Sequence, residues 1–105
     1  MATTAVKVRS RAQLDRQSAD GLAVALKAVA DPARLQILDI LKSRPDLEAC
    51  VCEFTAPLNL SQPTVSHHLK VLTNAGILDR ERRGSWAWFR LNAARLEQIA
   101  SLLHA

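Results

Sequence analysis

The sequence predicts a mainly α-helical (α+β) winged helix-turn-helix domain: five helices, a two-stranded β-hairpin wing, and pairing as a homodimer. Three observations carry this. Residues 61–76 read as a short helix with a capping residue at one end, a left-handed stop at the other, and polar groups crowded on one face. Residues 77–91 switch to period-two alternation around Arg83-Gly84-Ser85, which predicts a hairpin with Gly84 at its tip. The first and last helices carry apolar stripes that a minimal domain of this kind does not need, and such surplus stripes point to a subunit interface.

The elements follow in order. Residues 1–17 read as a basic arm in which Lys7, Arg9, Arg11 and Arg16 alternate with small or polar residues and no apolar period persists. Residues 18–105 are expected to form the winged helix-turn-helix domain, to which the DNA-binding and dimerisation surfaces argued below belong. Its first helix covers 20–30, with Leu22, Leu26 and Val29 on one face. Asp31-Pro32 is a break and restart, Asp31 as N-cap and Pro32 at the first helical position. The second helix runs to about Lys42, with Leu35, Leu38 and Leu41 on one side and Ile37 and Ile40 widening the stripe, as a central core helix requires. A third helix is expected over 49–57, followed by a tight connection into the fourth, which makes the helix-turn-helix. A last helix starts near Asn92 with Leu96, Ile99 and Leu103 as its stripe.

The fourth helix is the candidate reading element. Ser61 is its N-cap and Pro63 falls in its first turn, where the missing N–H costs little. Val65, Leu69 and Leu72 form the buried stripe, and Gly76 ends the helix. Gln62, Thr64, Ser66 and His67 are candidates for base edges in the major groove. His68 shares this polar face as a further DNA contact. Ser61, Lys70, Arg82, Arg83 and Arg90 are candidates for phosphate, the arginines reaching from the wing. Trp86 and Trp88, at alternate positions of one strand, are expected to pack the wing against the body. A twofold dimer would set two reading helices about 34 Å apart, one turn of DNA.

Composition bounds the rest. At 105 residues the chain makes one domain, and nearly half its residues are hydrophobic, which excludes global disorder. The net charge of +4 is uneven: successive thirty-residue stretches carry +3, −2 and +3. The positive charge falls on the arm, the reading helix and the wing, as a polyanion partner such as double-stranded DNA requires. No run reaches the length of a membrane span, no secretory leader is visible, and two cysteines make no disulfide framework, so a cytoplasmic location is expected. An enzyme is disfavoured: there is no phosphate loop, no Cys-x-x-Cys, and no Cys–His pairing with an orienting group.

Ser61 to Leu72, read as Ser-Gln-Pro-Thr-Val-Ser-His-His-Leu-Lys-Val-Leu, with Ala75-Gly76-Ile77-Leu78 after it, closely resembles the signature of the ArsR/SmtB family of bacterial metal-sensing repressors. Ala30-Asp31-Pro32-Ala33-Arg34-Leu35 upstream, and Arg83-Gly84 with Trp88-Phe89-Arg90-Leu91 in the wing, extend the resemblance over about residues 20–103. It implies a homodimeric winged helix-turn-helix that represses its own operon and is weakened on its operator by an inducer, often a metal or metalloid.

Cys50-Val51-Cys52-Glu53-Phe54 sits where the arsenic-responsive branch of that family has Cys-Val-Cys-Asp-Leu-Cys. Two cysteines match, and Thr55 stands at the third position. The resemblance therefore implies arsenite or antimonite as inducer, with Cys50 and Cys52 as ligands and the remaining position filled by solvent, an external thiol or the partner subunit. Thiolates are soft donors suited to thiophilic ions, and a helix N-terminus would lower a thiol's pKa. In a regular helix, however, residues i and i+2 lie about 200° apart, so joint ligation requires Cys50 to be extended or the first turn to deform. The alternative is the same DNA-binding repressor without metalloid sensing, through redox-responsive thiols, another metal ion, or no inducer. The family's other metal site lies on the last helix, where this chain offers only Glu97 and His104.

Overall fold

A computed structural model describes residues 13–105. Its order is α1 (Arg16–Val29), α2 (Pro32–Lys42), a 3₁₀ turn (Pro45–Leu47), β1 (Glu48–Cys50), a second 3₁₀ turn (Val51–Glu53), α3 (Thr55–Leu58), α4 (Gln62–Asn74), β2 (Leu78–Arg83), β3 (Trp86–Leu91) and α5 (Ala93–Leu103). Residues 1–12 of the predicted arm lie outside the described residues. Arg16 and Gln17, which the arm was expected to include, open α1 instead, because Asp15 caps the helix by accepting from Ser18 N–H at 2.7 Å.

Local signals place the helix ends. Asp31 caps α2, accepting from Arg34 N–H at 3.1 Å. Ser61 caps α4, and Asn92 caps α5. Gly76 takes φ +80° after α4, and Gly84 takes φ +62° at the wing tip, the left-handed region where glycine has no Cβ to clash. No described helix is long and apolar enough to cross a membrane.

The core joins all layers. Phe54, Ile37, Leu41, Leu69, Leu72, Ile77, Leu78 and Val65 are fully buried. On α2 the centre of the stripe is Ile37 and Leu41, one helical turn apart, with Leu38 and Ile40 partly covered. Leu35, expected within the stripe, lies at its outer edge and is 54% exposed.

The expected third helix over 49–57 is the main departure. Glu48–Cys50 is instead a strand that adds to the wing, giving a three-stranded antiparallel sheet ordered β1-β3-β2. Glu48 pairs with Arg90, Ala49 with Phe89 and Cys50 with Trp88. The chain then tightens into the second 3₁₀ turn, and only four residues remain for α3. Asn59 ends α3 with φ +55° and turns the chain into α4.

The sheet has two unlike faces. Ala87, Phe89 and Leu91 face the body with Leu78, while Trp86 and Trp88 share the opposite face with Arg83, Glu81 and Arg90. Of the two tryptophans, Trp88 is partly buried against the core, as expected, and Trp86 is not. Trp86 is 53% exposed, and Trp88 lies under the Arg83 guanidinium, 4.7 Å from ring centre to cation carbon, a cation–π contact.

Candidate nucleic-acid interface and thiol pair

α4 shows the predicted face. Val65, Leu69 and Leu72 are buried, while Ser61, Gln62, Thr64, Ser66, His67 and Lys70 are exposed. The cap is local and complete: Ser61 Oγ accepts from Thr64 N–H at 3.4 Å and donates to Thr64 Oγ1 at 2.9 Å. Beside α4 runs a groove of about 610 Å³ whose far wall is the wing. Gln62, Ser66 and Lys70 line it from the helix, Arg80 and Arg82 from β2, and Val51 from the second 3₁₀ turn. Polar groups and three cations on two walls of a groove can meet base edges and phosphates together.

Arg80 was legible on the hairpin but not singled out. Strand parity gives it: Arg80 pairs with Phe89 and Arg82 with Ala87, so both share the face turned toward α4. Arg83 and Arg90, expected at phosphate, are on the other face. Arg83 Nη1 and Nη2 donate to the two Glu48 carboxylate oxygens at 2.9 and 2.8 Å, and Nη2 also donates to Glu81 at 2.7 Å. Arg90 donates to Glu48 at 3.0 Å. Because β1 is a strand, Glu48 stands beside β3 and gathers both cations.

These bonds set the ionisation of Glu48. Arg83, then Arg90, hold its carboxyl below the ordinary 4.5, and Glu48 in turn raises Arg83. A carboxylate favoured in the fold stabilises it fully above its unfolded pKa, and that contribution is lost as pH falls through the folded value. Acidifying from about pH 5 to about pH 3 should therefore lower the Tm of the wild-type protein more than that of Glu48→Gln. Parallel melting curves for the two proteins would refute the pairing.

His68 also departs from expectation. It does not join the exposed polar face of α4. Its side chain is 14% exposed, with Nδ1 3.0 Å from Arg34 Nη1 and 3.9 Å from the Asp31 carboxylate. One helical position before Leu69, it lies at the flank of the buried stripe, where α2 covers it. The Asp31 carboxyl is held below the ordinary range first by the Arg34 N–H and then by the Arg34 charge.

The thiols are brought together. Cys50 is extended, with φ −74° and ψ 150°, and caps the second 3₁₀ turn. Its Sγ accepts from Cys52 N–H at 3.5 Å, and the two sulfurs stand 2.9 Å apart. Glu53 closes the turn by accepting from Cys50 N–H at 2.8 Å, and is itself paired with Arg44 at 2.9 Å. The obstacle of opposed i and i+2 side chains is absent because this segment is not α-helical. Cys50 is buried and Cys52 exposed. The expected lowering of thiol pKa is not seen. The Cys52 thiol is pushed up, first by its hydrogen bond to Cys50, then by burial and by the Cys50 and Glu53 charges. Among the described residues, no three His, Cys, Asp or Glu side chains cluster where a metal ion could sit.

Comparison with known proteins agrees with this architecture. The family model "Bacterial regulatory protein, arsR family" matches residues 31–80. An uncharacterized HTH-type transcriptional regulator of Methanocaldococcus jannaschii is 38% identical over 77 residues, covering 73% of this chain and 84% of that protein. The arsenical resistance operon repressor of Staphylococcus aureus is 36% identical over 83 residues, 79% of this chain and 77% of that one. A homodimeric winged helix-turn-helix DNA-binding domain from Mycobacterium bovis superposes with a TM-score of 0.69 at 28% identity, over 88% of this chain and 85% of that one. With cap, stripe, groove and wing in the same order, this chain belongs to the arsR family of bacterial regulatory proteins and is a DNA-binding transcriptional repressor, not an enzyme.

Proposed function

We propose that the chain is a homodimeric repressor that reads its operator with α4 and the wing, and is released when arsenite or antimonite bridges Cys50 and Cys52. The observation that carries the inducer reading is the 2.9 Å sulfur separation, at a turn whose first residue, Val51, forms part of the reading groove. Neutral arsenous acid reacts with two thiols to form two As–S bonds, releasing two waters and keeping one hydroxyl. Two cysteines are therefore enough, and solvent or an external thiol can hold the third position. The turn packs on α4, so a rearranged turn and a DNA-bound α4 compete. The name of the Staphylococcus aureus relative supports the choice of metalloid.

The dimer reading rests on α1 and α5. Arg95 Nη2 on α5 donates to the Gly21 carbonyl of α1 at 3.0 Å, tying the two helices together. Leu14, just before α1, Val24 on α1, and Leu102 and Leu103 on α5 stay exposed at 42%, 56%, 38% and 66%. Apolar surface of this kind is what an obligate subunit contact covers.

Titrating the protein–operator complex with arsenite tests the inducer. Wild-type affinity should fall by about 5- to 150-fold, the range of a typical coupling, while Cys50→Ser and Cys52→Ser bind DNA normally and do not respond. A full arsenite response in both variants would remove the ligand assignment. The same sulfur separation also suits a redox reading, in which two thiols and peroxide give a disulfide and two waters. Release by peroxide with no effect of arsenite would select that reading.

A further inference from the structure

α4 meets the body through Val65, Leu69 and Leu72, all fully buried. Hydrophobic burial is non-directional. It decides which face turns inward but sets rotation and axial position only loosely. Base-edge hydrogen bonds are less tolerant, needing donor and acceptor within about 2.7–3.2 Å and near linearity. A reading helix therefore gains from a directional tie to its support.

Among the described residues, His68 is the one α4 side chain hydrogen-bonded to another helix. A guanidinium can only donate, so His68 Nδ1 accepts from Arg34 Nη1 at 3.0 Å. The same guanidinium donates through Nε to the Ala28 carbonyl at the end of α1, and Asp31 caps the helix that carries Arg34. One planar fork thus joins α1, α2 and α4.

We propose that Arg34 and His68 are a positioning pair that sets the pitch of α4 for base readout, and that His68 itself does not touch DNA. The inference rests on α4 being the helix that meets the duplex. Lysine at position 34 would keep the charge but not the fixed fork that reaches two acceptors. Asparagine at position 68 would place Oδ1 as many bonds from Cα as Nδ1 is, whereas leucine would keep bulk and lose the acceptor.

The test uses the duplex that the wild-type protein selects from a random-sequence pool, with each of its single-base-pair variants, titrated over a salt series. His68→Leu and Arg34→Lys should each weaken binding to the selected duplex by about tenfold or more, the size of a lost base-pair match. Discrimination should weaken at every read position together. The slope of log affinity against log salt, and the affinity for random duplex, should stay unchanged, because no phosphate contact is lost. His68→Asn should recover most of the selected-duplex affinity. A His68→Leu effect confined to one base pair would make His68 a base contact and overturn the proposal. So would a slope shallower by about 1 or more, or unchanged affinity. If His68→Leu does not fold, Arg34→Lys and His68→Asn decide: loss in the first with retention in the second supports the pair, and any other result overturns it. Failure of the premise looks different, since the wild-type protein would then enrich no sequence from the pool.

Discussion

Replacing Phe54 by alanine should lower the unfolding free energy by about 3–5 kcal/mol, measured as a shift of the urea midpoint at fixed protein concentration with little change in slope. Phe54 is fully buried, and its backbone joins two small elements. Its N–H donates to the Val51 carbonyl at 3.3 Å, closing the thiol turn, and its carbonyl accepts from Leu58 N–H at 3.1 Å, opening α3. Neither a three-residue turn nor a four-residue helix is stable alone. Both depend on the ring being held in the core. Against a typical stability of about 5–15 kcal/mol, the loss is a third or more of the total in many domains. A cost below about 1 kcal/mol would mean the cavity collapses freely, and the core described around Phe54 would be wrong.

Removing Lys70 or Arg82 should have the largest effect on DNA binding. Each faces the groove and is exposed, and neither has a carboxylate partner among the described ion pairs. Each released phosphate contact lowers the steepness of log affinity against log salt by about 0.9. On a twofold dimer every substitution counts twice, so Lys70→Ala and Arg82→Ala should each reduce the slope by about 1.8. Affinity near 0.1 M salt should fall on the order of 10- to 100-fold for all sequences alike. Arg83→Ala is the internal control. Its cation is committed to Glu48 and Glu81, so the slope should hold. A slope that drops for Arg83→Ala and holds for Arg82→Ala would reverse the assignment of the two sheet faces. Anisotropy titrations between about 0.05 and 0.2 M salt measure all three.

Much of the polar face of α4 was legible in the residue order. Ser61, Pro63 and Gly76 act within a turn of where they stand, so capping chemistry alone bounds α4. The stripe of Val65, Leu69 and Leu72 assigns Gln62, Thr64, Ser66, His67 and Lys70 to the outside by helical period. Alternation in 86–91 likewise separates Trp86 and Trp88 from Phe89 and Leu91. Extending that parity across the hairpin would have added Arg80 to the candidates and removed Arg83 and Arg90.

The segment around the cysteines was less legible. Glu48–Cys50 is too short to show alternation, and its partner strand lies about forty residues away. Read alone, the segment continues naturally into α3 as a helix. Pairing with β3 extends Cys50, and that extension is why the two sulfurs meet instead of facing apart. His68 was misassigned for a related reason. It sits at the edge of the stripe, where helical period alone cannot say whether solvent or a neighbouring helix lies beside it.

What the residue order determined by itself was each element's limits, its inward face and the gathering of positive charge on α4 and the wing, because capping, glycine conformation and periodicity act over a few bonds. The assembled fold alone decided which wing cations are tied to carboxylates, which α4 histidine is tied to α2, and that the thiols come within contact. Each of those depends on a partner 34 or more residues away or on a strand paired with one. The physical reason is that a directional bond between distant residues exists only once packing has brought their backbones together.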